Sequence, residues 1–225
     1  EVRTGVPAAC VMVCCTHTHA GPAMRCIRFL GDPEPEYTAA LLDTLAGTAA
    51  AACAASRQAR LGRARVPLDV GINRRQVRSG AIAPGTQARG VVDSNVDVIV
   101  VDGLDGQPIA RLFLHAAHAV ALGGDNTLIS ADWPGVARRT VQEQSPGAFG
   151  VFLQGCCGDI NCRERGWEGV ESQGRRSGDA VTAAAALWMN APRLATASIP
   201  LALPLSPAPA LSIAEAVLAD NRCRL

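Results

Sequence analysis

The sequence contains no lysine, and all of its 21 basic residues are arginines. They are balanced by 20 acidic residues, which gives a formal net charge of +1, and no dense arginine run is present. A nucleic-acid binder needs a clustered basic surface that displaces counterions. We therefore exclude nucleic acid as a partner and interpret the missing lysine as a coding bias.

Long apolar stretches are also missing. A transmembrane helix needs about 20 consecutive apolar residues, and the nearest candidate, Thr38 to Ser56, is mostly alanine and carries Asp43. The chain starts at Glu1, and no series of charged, apolar and small residues follows that would indicate a signal peptide. We expect no transmembrane segment and a chain that begins inside a longer reading frame.

The nine cysteines are an odd number and include the adjacent pairs Cys14–Cys15 and Cys156–Cys157. Neighbouring cysteines rarely bridge each other without strain, so this is a poor disulfide framework. We expect reduced, mostly buried thiols in a cytoplasmic protein. Secretion is the alternative if an export signal precedes residue 1.

A chain of 225 residues can bury a substantial core and corresponds to one domain. Short β-prone runs alternate with alanine-rich or amphipathic runs, and the turn Gly103-Leu-Asp-Gly106 predicts a hairpin. We predict a single layered α/β domain, residues 1–225, with a mixed β-sheet and flanking helices. The predicted strands are Cys10–Cys15, Ala59–Val66, Val96–Asp102, Pro108–Ala116, Ala148–Leu153 and Thr196–Leu205. The predicted helices are Tyr37–Arg57 after an Asp32-Pro33 cap, a helix that follows the irregular stretch through Trp133-Pro-Gly135 and ends at about Gln144, Ser177–Asn190 and a tail from Ser212. Predicted loops are Gly71–Gly90 and Gly155–Asn161.

Four histidines form two pairs. His17 and His19 follow the predicted strand Cys10–Cys15, and in an extended backbone they point to the same side at its end. Two adjacent imidazoles there suit a zinc-type metal site, or else a hydrogen-bonded pair in a polar crevice. His115 and His118 lie on opposite faces if the strand continues, so only one of them is expected at that site.

Two further segments carry polar groups that suit a site. In Asn73-Arg74-Arg75, one arginine can hold a carboxylate or stabilise a developing oxyanion, or the segment is a solvated basic surface. In the glycine-punctuated turn Gln154 to Asn161, backbone N–H groups can approach a substrate, or the turn is a plain connection. Cys156, beside an apolar strand, is expected to be inert rather than a nucleophile.

Taken in order, four segments resemble the neutral/alkaline (non-lysosomal) ceramidase family, in its N-terminal catalytic domain. They are Thr16-His17-Thr18-His19-Ala20-Gly21-Pro22, Gly71-Ile72-Asn73-Arg74-Arg75, His118 followed by Ile129-Ser-Ala-Asp-Trp-Pro-Gly135, and Gln154 through Gly158-Asp159-Ile160-Asn161. Members of this family are zinc amidases that cleave the N-acyl bond of ceramide. The resemblance implies that His17 and His118 are zinc ligands, that His19 acts beside the reacting water or amide, and that Arg74 holds the oxyanion or a polar group of the substrate.

The sequence departs from the family pattern at three points. Asn161 occupies the place of a catalytically important serine; we include it among the catalytic candidates because it can orient water or substrate, although it cannot be a nucleophile. Ala119 follows His118 where the family commonly has proline. The family takes two further ligands, a Glu and a Tyr, from downstream sequence, and Tyr37, the single tyrosine, lies in a predicted helix. We therefore expect residues 1–225 to be a catalytic domain truncated at both ends.

The resemblance implies a Zn²⁺-dependent hydrolase of an N-acyl lipid or a related small-molecule amide, and relatives are often secreted or membrane-associated. Peripheral membrane contact is thus expected only for a longer protein. Two alternatives stay open: a metal hydrolase of the amidohydrolase type on a (β/α)₈ barrel, and a non-catalytic module whose histidines are structural. The first choice requires that the imidazoles of His17 and His118 converge.

Overall fold

The computed structural model describes residues 3–24, 32–78 and 81–204. The chain divides into two compact units, Glu1–Leu194 and Ala195–Leu225. All helices and strands of the described residues belong to the first unit, and residues 195–204 of the second unit are exposed and contain neither. The assignment of residues 1–225 to one catalytic domain stays a prediction.

The first unit contains two β-sheets and three α-helices among its described residues. The helices are α1 (Pro35–Ala54), α2 (Asp132–Gln144) and α3 (Gly166–Thr182). The strands are β1 (Ala59–Pro67), β2 (Gly71–Arg78), β3 (Ala81–Gln87), β4 (Asn95–Gly103), β5 (Pro108–His115), β6 (Phe149–Gln154), β7 (Ile160–Cys162) and β8 (Leu187–Trp188). One sheet has the order β6-β5-β4-β1-β8, and the other has the order β3-β2-β7. The larger sheet is mixed, since β5 and β6 are parallel and its other pairs are antiparallel. The predicted α/β class with a mixed sheet is therefore confirmed.

The core lies between one face of the larger sheet and helices α2 and α3. Alternation along β4 buries Val96, Val98 and Val100 on this face. Phe113 of β5 and Phe152 of β6 pack with ring centroids 5.5 Å apart, and Trp133 of α2 contacts Phe152 edge-on at 5.1 Å. This aromatic cluster fixes the first turn of α2 against the ends of β5 and β6.

Glycines set the close approach of α2 and α3. A Cβ added at Gly174 would overlap Val136, and one at Gly178 would lie 2.5 Å from the Cβ of Thr140. The predicted start of α3 at Ser177 is wrong, because Gly166–Gly174 is already helical. The predicted end at Asn190 is also wrong, since residues 187 and 188 pair with β1. Glycine weakens a helix in isolation, but here its small size permits the packing.

Two other predictions along the chain are wrong. Residues 10–15 form no strand, because a 3₁₀ turn covers Ala8–Cys10 and the described residues offer the following stretch no pairing strand. Residues 71–90 are not one long loop, because β2 and β3 pair there as an antiparallel hairpin. Strands are recognised in a sequence by buried apolar residues at alternate positions. In β2, Gly71 and Asn73 are buried instead, so this signal is missing.

Several boundaries also differ from the predicted ones. Helix α1 confirms the predicted helix, but Glu34, rather than Asp32, accepts the capping N–H groups, and Pro35 is the first-turn proline. No strand is present within residues 196–204, although one was predicted from Thr196. The turn after β6 is shorter than predicted, because β7 begins at Ile160. The predicted tail helix from Ser212 lies outside the described residues.

Most described cysteines are exposed, which contradicts the prediction of mostly buried thiols. Among the cysteines that the structure describes, only Cys157 and Cys162 are buried. The exposed ones lie in stretches that pack little: Cys10, Cys14, Cys15, Cys53 and Cys156. Cys26 and Cys223 lie outside the described residues.

Helix α1 has no buried residue. Within the described ranges, no helix combines the length and the apolar character needed to cross a membrane.

Candidate metal centre

Three histidines converge at the end of the larger sheet where β5 and β6 finish. The ring centroids of His17 and His118 are 4.8 Å apart, those of His17 and His19 are 5.0 Å apart, and those of His19 and His118 are 5.6 Å apart. Their ligand nitrogens all lie within 4.8 Å of one another. The predicted convergence of His17 and His118 is therefore present, although the two residues are about 100 positions apart in sequence.

His17 reaches this place by a turn and not by the predicted strand. Its φ of 59° lies in the left-handed region, which is uncommon for a residue with a side chain. The N–H of His19 donates to the carbonyl of Ala119 at 3.4 Å, which ties this stretch to the loop that carries His118. Both His17 and His19 are exposed, so their rings are free to adjust around a ligand.

His118 is held much more firmly. It is 4% exposed, and its N–H donates to the carbonyl of Ile160 at 3.1 Å. The same carbonyl lies 2.9 Å from its Nδ1. Because a carbonyl only accepts, Nδ1 carries the proton and Nε2 keeps the lone pair that a metal needs. A backbone carbonyl behind a metal-binding histidine is the usual outer-shell arrangement.

His115 is structural. It is fully buried, its Nδ1 accepts the N–H of Ala117 at 3.0 Å, and its Nε2 lies 3.3 Å from the carbonyl of Leu68. Both ring nitrogens are thus satisfied by backbone groups. Only one member of the pair His115 and His118 reaches the cluster, as the sequence predicted.

The environment of His19 and His118 favours their neutral forms. The ring of His19 is only partly in contact with water, and this partial desolvation, then the neighbouring His17 and Arg74, lower its pKa below the usual 6.5; Asp132 partly opposes this. Burial also lowers the pKa of His118, against the raising effect of its bond to Ile160, and Arg74 adds to the lowering. A metal binds the neutral imidazole, so the lowered pKa values of His19 and His118 favour the form in which these two rings can bind a metal or accept a proton.

Arg74 lies close enough to act on both of these histidines. Its Nε and Nη2 donate to the carbonyl of Gly158 at 3.1 and 2.9 Å, and its N–H donates to the carbonyl of Asp159. Arg75 donates to the same Gly158 carbonyl at 3.1 Å. The two arginines thus join β2 to the glycine turn, and Arg74 supplies positive charge beside the imidazoles.

Asn73 is a structural anchor of this junction. It is 7% exposed, its Nδ2 donates to the carbonyl of Val91 at 2.8 Å, and its Oδ1 accepts the N–H of Arg75 at 2.8 Å. Asn161 follows Ile160 on β7, and its Oδ1 is buried without a hydrogen-bond partner. A buried acceptor of this kind can receive a donor from water or substrate, and its catalytic role stays a prediction.

Zinc fits the donor set. Catalytic zinc sites use imidazole nitrogens, commonly have three protein ligands and leave one position open for water. The resemblance gives His17 and His118 as two of these ligands and puts His19 beside the open position. Among the described residues, the group of metal-binding side chains consists of His17, His19 and His118, without a carboxylate or thiol. With ligand distances of roughly 2.0–2.1 Å, the nitrogens must approach somewhat closer than 4.8 Å, which rotation of the two exposed rings permits.

Sequence reasoning gave no role to the groups that hold these histidines. The carbonyl of Ile160 has no sequence signal, because every residue has one. Asp132 and Trp133 contact the loop of His118 through a buried carboxylate and an indole N–H. Their available signal was the segment Ile129–Gly135, which the family resemblance includes without giving either residue a role.

Two solved structures share the fold. A neutral ceramidase from Pseudomonas aeruginosa matches with a TM-score of 0.61 and 19% identity, over 75% of this chain and 30% of the ceramidase chain. A ceramidase complexed with C2 matches with a TM-score of 0.62 and 18% identity, over 75% and 29%. No protein-family model and no curated protein matches the chain. This chain spans about 30% of the length of these ceramidases, and it has the fold of that part of them, as its motifs predicted.

Proposed function

We propose that the chain carries part of the active site of a zinc-dependent hydrolase that cleaves the amide bond of a ceramide-like N-acyl lipid or a related small amide. The observation that supports this most is the convergence of His17, His19 and His118, with the pKa values of His19 and His118 lowered. The ceramidase fold of the matched region supports the substrate class. The cytoplasmic location, membrane contact of a longer protein, and the truncation of the domain at both ends stay predictions.

In this proposal His118 presents Nε2 to the ion from a fixed ring, and His17 supplies a second nitrogen from the exposed stretch. Bound zinc would acidify water and polarise the amide carbonyl. His19 accepts the proton of the water that attacks the carbonyl carbon and passes it to the departing amine. Arg74 stabilises the negative charge that develops on the carbonyl oxygen. Asn161 orients the water or the substrate through its unpartnered Oδ1.

The barrel alternative does not fit the described fold. The strands of a (β/α)₈ barrel are all parallel, whereas β1, β4 and β5 pair antiparallel. The non-catalytic module remains the competing hypothesis, and a metal measurement separates it from the proposal.

The experiment compares zinc content and zinc affinity of the wild-type chain with those of His17→Ala and His118→Ala. His115→Gln is the matched control, because it removes the one histidine outside the cluster. We expect one zinc per chain in the wild type and the control, and loss of stoichiometric zinc in both alanine variants. Equal, substoichiometric zinc in all four proteins would refute the proposal in favour of the non-catalytic module.

The activity is tested separately by release of fatty acid from a short-chain ceramide. Arg74→Ala should retain zinc and lose most of the turnover, because Arg74 stabilises charge and is not a ligand. Removal of one oxyanion-stabilising donor typically costs about 10²–10³ in kcat. Undiminished turnover in Arg74→Ala would remove this residue from the mechanism.

A further inference from the structure

One short segment, Ser130–Trp133, contacts both histidine stretches. On the side of His17 and His19, the Oγ1 of Thr18 donates to the carbonyl of Ser130 at 2.7 Å. The N–H of Ser130 donates to the carbonyl of Ala20 at 2.9 Å. The two bonds bracket His19 and fix the exposed stretch against the start of α2.

On the other side the same segment holds the loop of His118. The carboxylate of Asp132 accepts the N–H groups of Ala121 and Leu122 at 3.1 and 2.9 Å. The indole Nε1–H of Trp133 donates to the carbonyl of His118 itself at 3.0 Å. A single carboxylate therefore holds two consecutive backbone amides, one with each of its oxygens. An asparagine of the same size could not, because only one of its two terminal atoms accepts a hydrogen bond.

The position of Asp132 is costly for stability. Asp132 is 2% exposed, and among the ion pairs of the described residues none involves it. Its φ of 56° is in the left-handed region, and such strained conformations cluster at functional sites. The conformation is maintained by local bonds, since Ser130 Oγ accepts the N–H of Asp132 at 3.0 Å and Oδ1 accepts the N–H of Trp133 at 2.8 Å.

We infer that Ser130–Trp133 is a clamp that sets the separation of His17 and His19 from His118, with Asp132 as its central positioning residue. The inference rests on the proposed function for the identity of the ion, but the clamp itself is a property of the metal-free chain. Trp133 contributes from the rigid side, because it is fully buried against Phe152 and His115. The arrangement explains how two exposed rings stay within 5.6 Å of a buried one.

The test uses Asp132→Asn, which keeps the shape, tolerates the left-handed backbone and replaces one acceptor oxygen by a donor. Zn²⁺ affinity, measured by competition with a chromogenic chelator, should fall about 10- to 100-fold, as is typical when an outer-shell group is removed. The matched control is Ser177→Ala, which removes a buried hydrogen bond to Gln173 within α3. It should lower the melting temperature and leave zinc affinity unchanged. Unchanged affinity in Asp132→Asn, or an equal loss in Ser177→Ala, would overturn the inference.

A second measurement needs no metal. In the wild-type chain, NMR should give a nuclear Overhauser contact between the rings of His17 and His118, whose centroids are 4.8 Å apart. Asp132→Asn should lose it. Thr18→Val deletes the bond to Ser130 and the local bond from the N–H of Ala20 to the same hydroxyl, and it should weaken the contact even if the asparagine variant does not fold. Persistence of the contact in both variants overturns the clamp. A wild type that shows the contact but binds no Zn²⁺ refutes the proposed function and leaves the clamp standing.

Discussion

Replacing Gly174 by alanine tests whether close packing of α3 against α2 positions the start of α2. The new Cβ would overlap the Cβ of Val136 and lie 2.7 Å from its Cγ1 and 2.8 Å from the carbonyl oxygen of Trp133. The side chain of Val136 can adjust, but the backbone oxygen cannot move without the helix. The substitution must therefore separate the two helices or distort the first turn of α2.

Two opposing contributions set the magnitude. Overfilling a packed core costs about 1–3 kcal/mol, and replacing glycine by alanine within a helix returns about 1 kcal/mol. Because a backbone atom is involved, we expect the upper part of this range and a net loss of about 2 kcal/mol. For a chain of this length, such a loss lowers Tm by about 4–8 °C.

The assay is thermal unfolding followed by circular dichroism at 222 nm. The matched control is Gly47→Ala in α1, where the added Cβ meets nothing within 4 Å and the helix has no buried residue. This control should leave Tm unchanged or slightly raised. If Gly174→Ala melts at or above the wild type, the argument that glycine permits the contact of α2 with α3 is wrong.

Two further predictions concern charge. The side chains of Asp102 and Arg111 are 10% and 13% exposed and lie 2.8 Å apart, so Asp102→Asn leaves a nearly buried charge on Arg111. We expect urea unfolding to show a loss of roughly 3 kcal/mol in the free energy of unfolding, whereas Asp97→Asn, at the exposed pair with Arg65, should cost less than about 1 kcal/mol. Equal losses in the two variants would contradict the role of burial. Burial lowers the pKa of His115 below 6.5, so the unfolded chain binds the proton first and the free energy of unfolding should fall as the pH drops from about 6.5 through the folded pKa. Urea titrations at pH 7.5 and 5.5 measure this, and a pH slope unchanged in His115→Gln would rule out His115 as a source.

Local signals predicted the elements that they specify directly. The turn Gly103-Leu-Asp-Gly106 predicted the hairpin of β4 and β5, and Gly106 does adopt a positive φ of 82°. The alanine-rich run predicted α1. These features depend on neighbours in sequence, and a single sequence contains that information.

The features that were missed depend on distant partners. The run Cys10–Cys15 is apolar, but a strand also needs a neighbouring strand for its backbone groups, and none pairs with it among the described residues. In α3, Gly174 weakens a helix locally and becomes favourable only when α2 lies against it. Single-sequence propensities describe neither situation.

The candidate site divides in the same way. Its histidines could be named from their spacing and from the family resemblance, since few side chains bind zinc. The carbonyl of Ile160 and the carboxylate of Asp132 could not, because their roles arise only when β7 and α2 meet the loop of His118.

Because His17 is exposed, a bound ion would also affect how easily the stretch around His17 unfolds. Coordination would link a solvent-facing stretch near the start of the chain to the buried ring of His118 and close a loop of about 100 residues. Such a bridge restricts the denatured ensemble much as a disulfide does, but a chelator can remove it. Susceptibility of residues 3–24 to proteases would then depend on free zinc, which couples the lifetime of this stretch to metal supply.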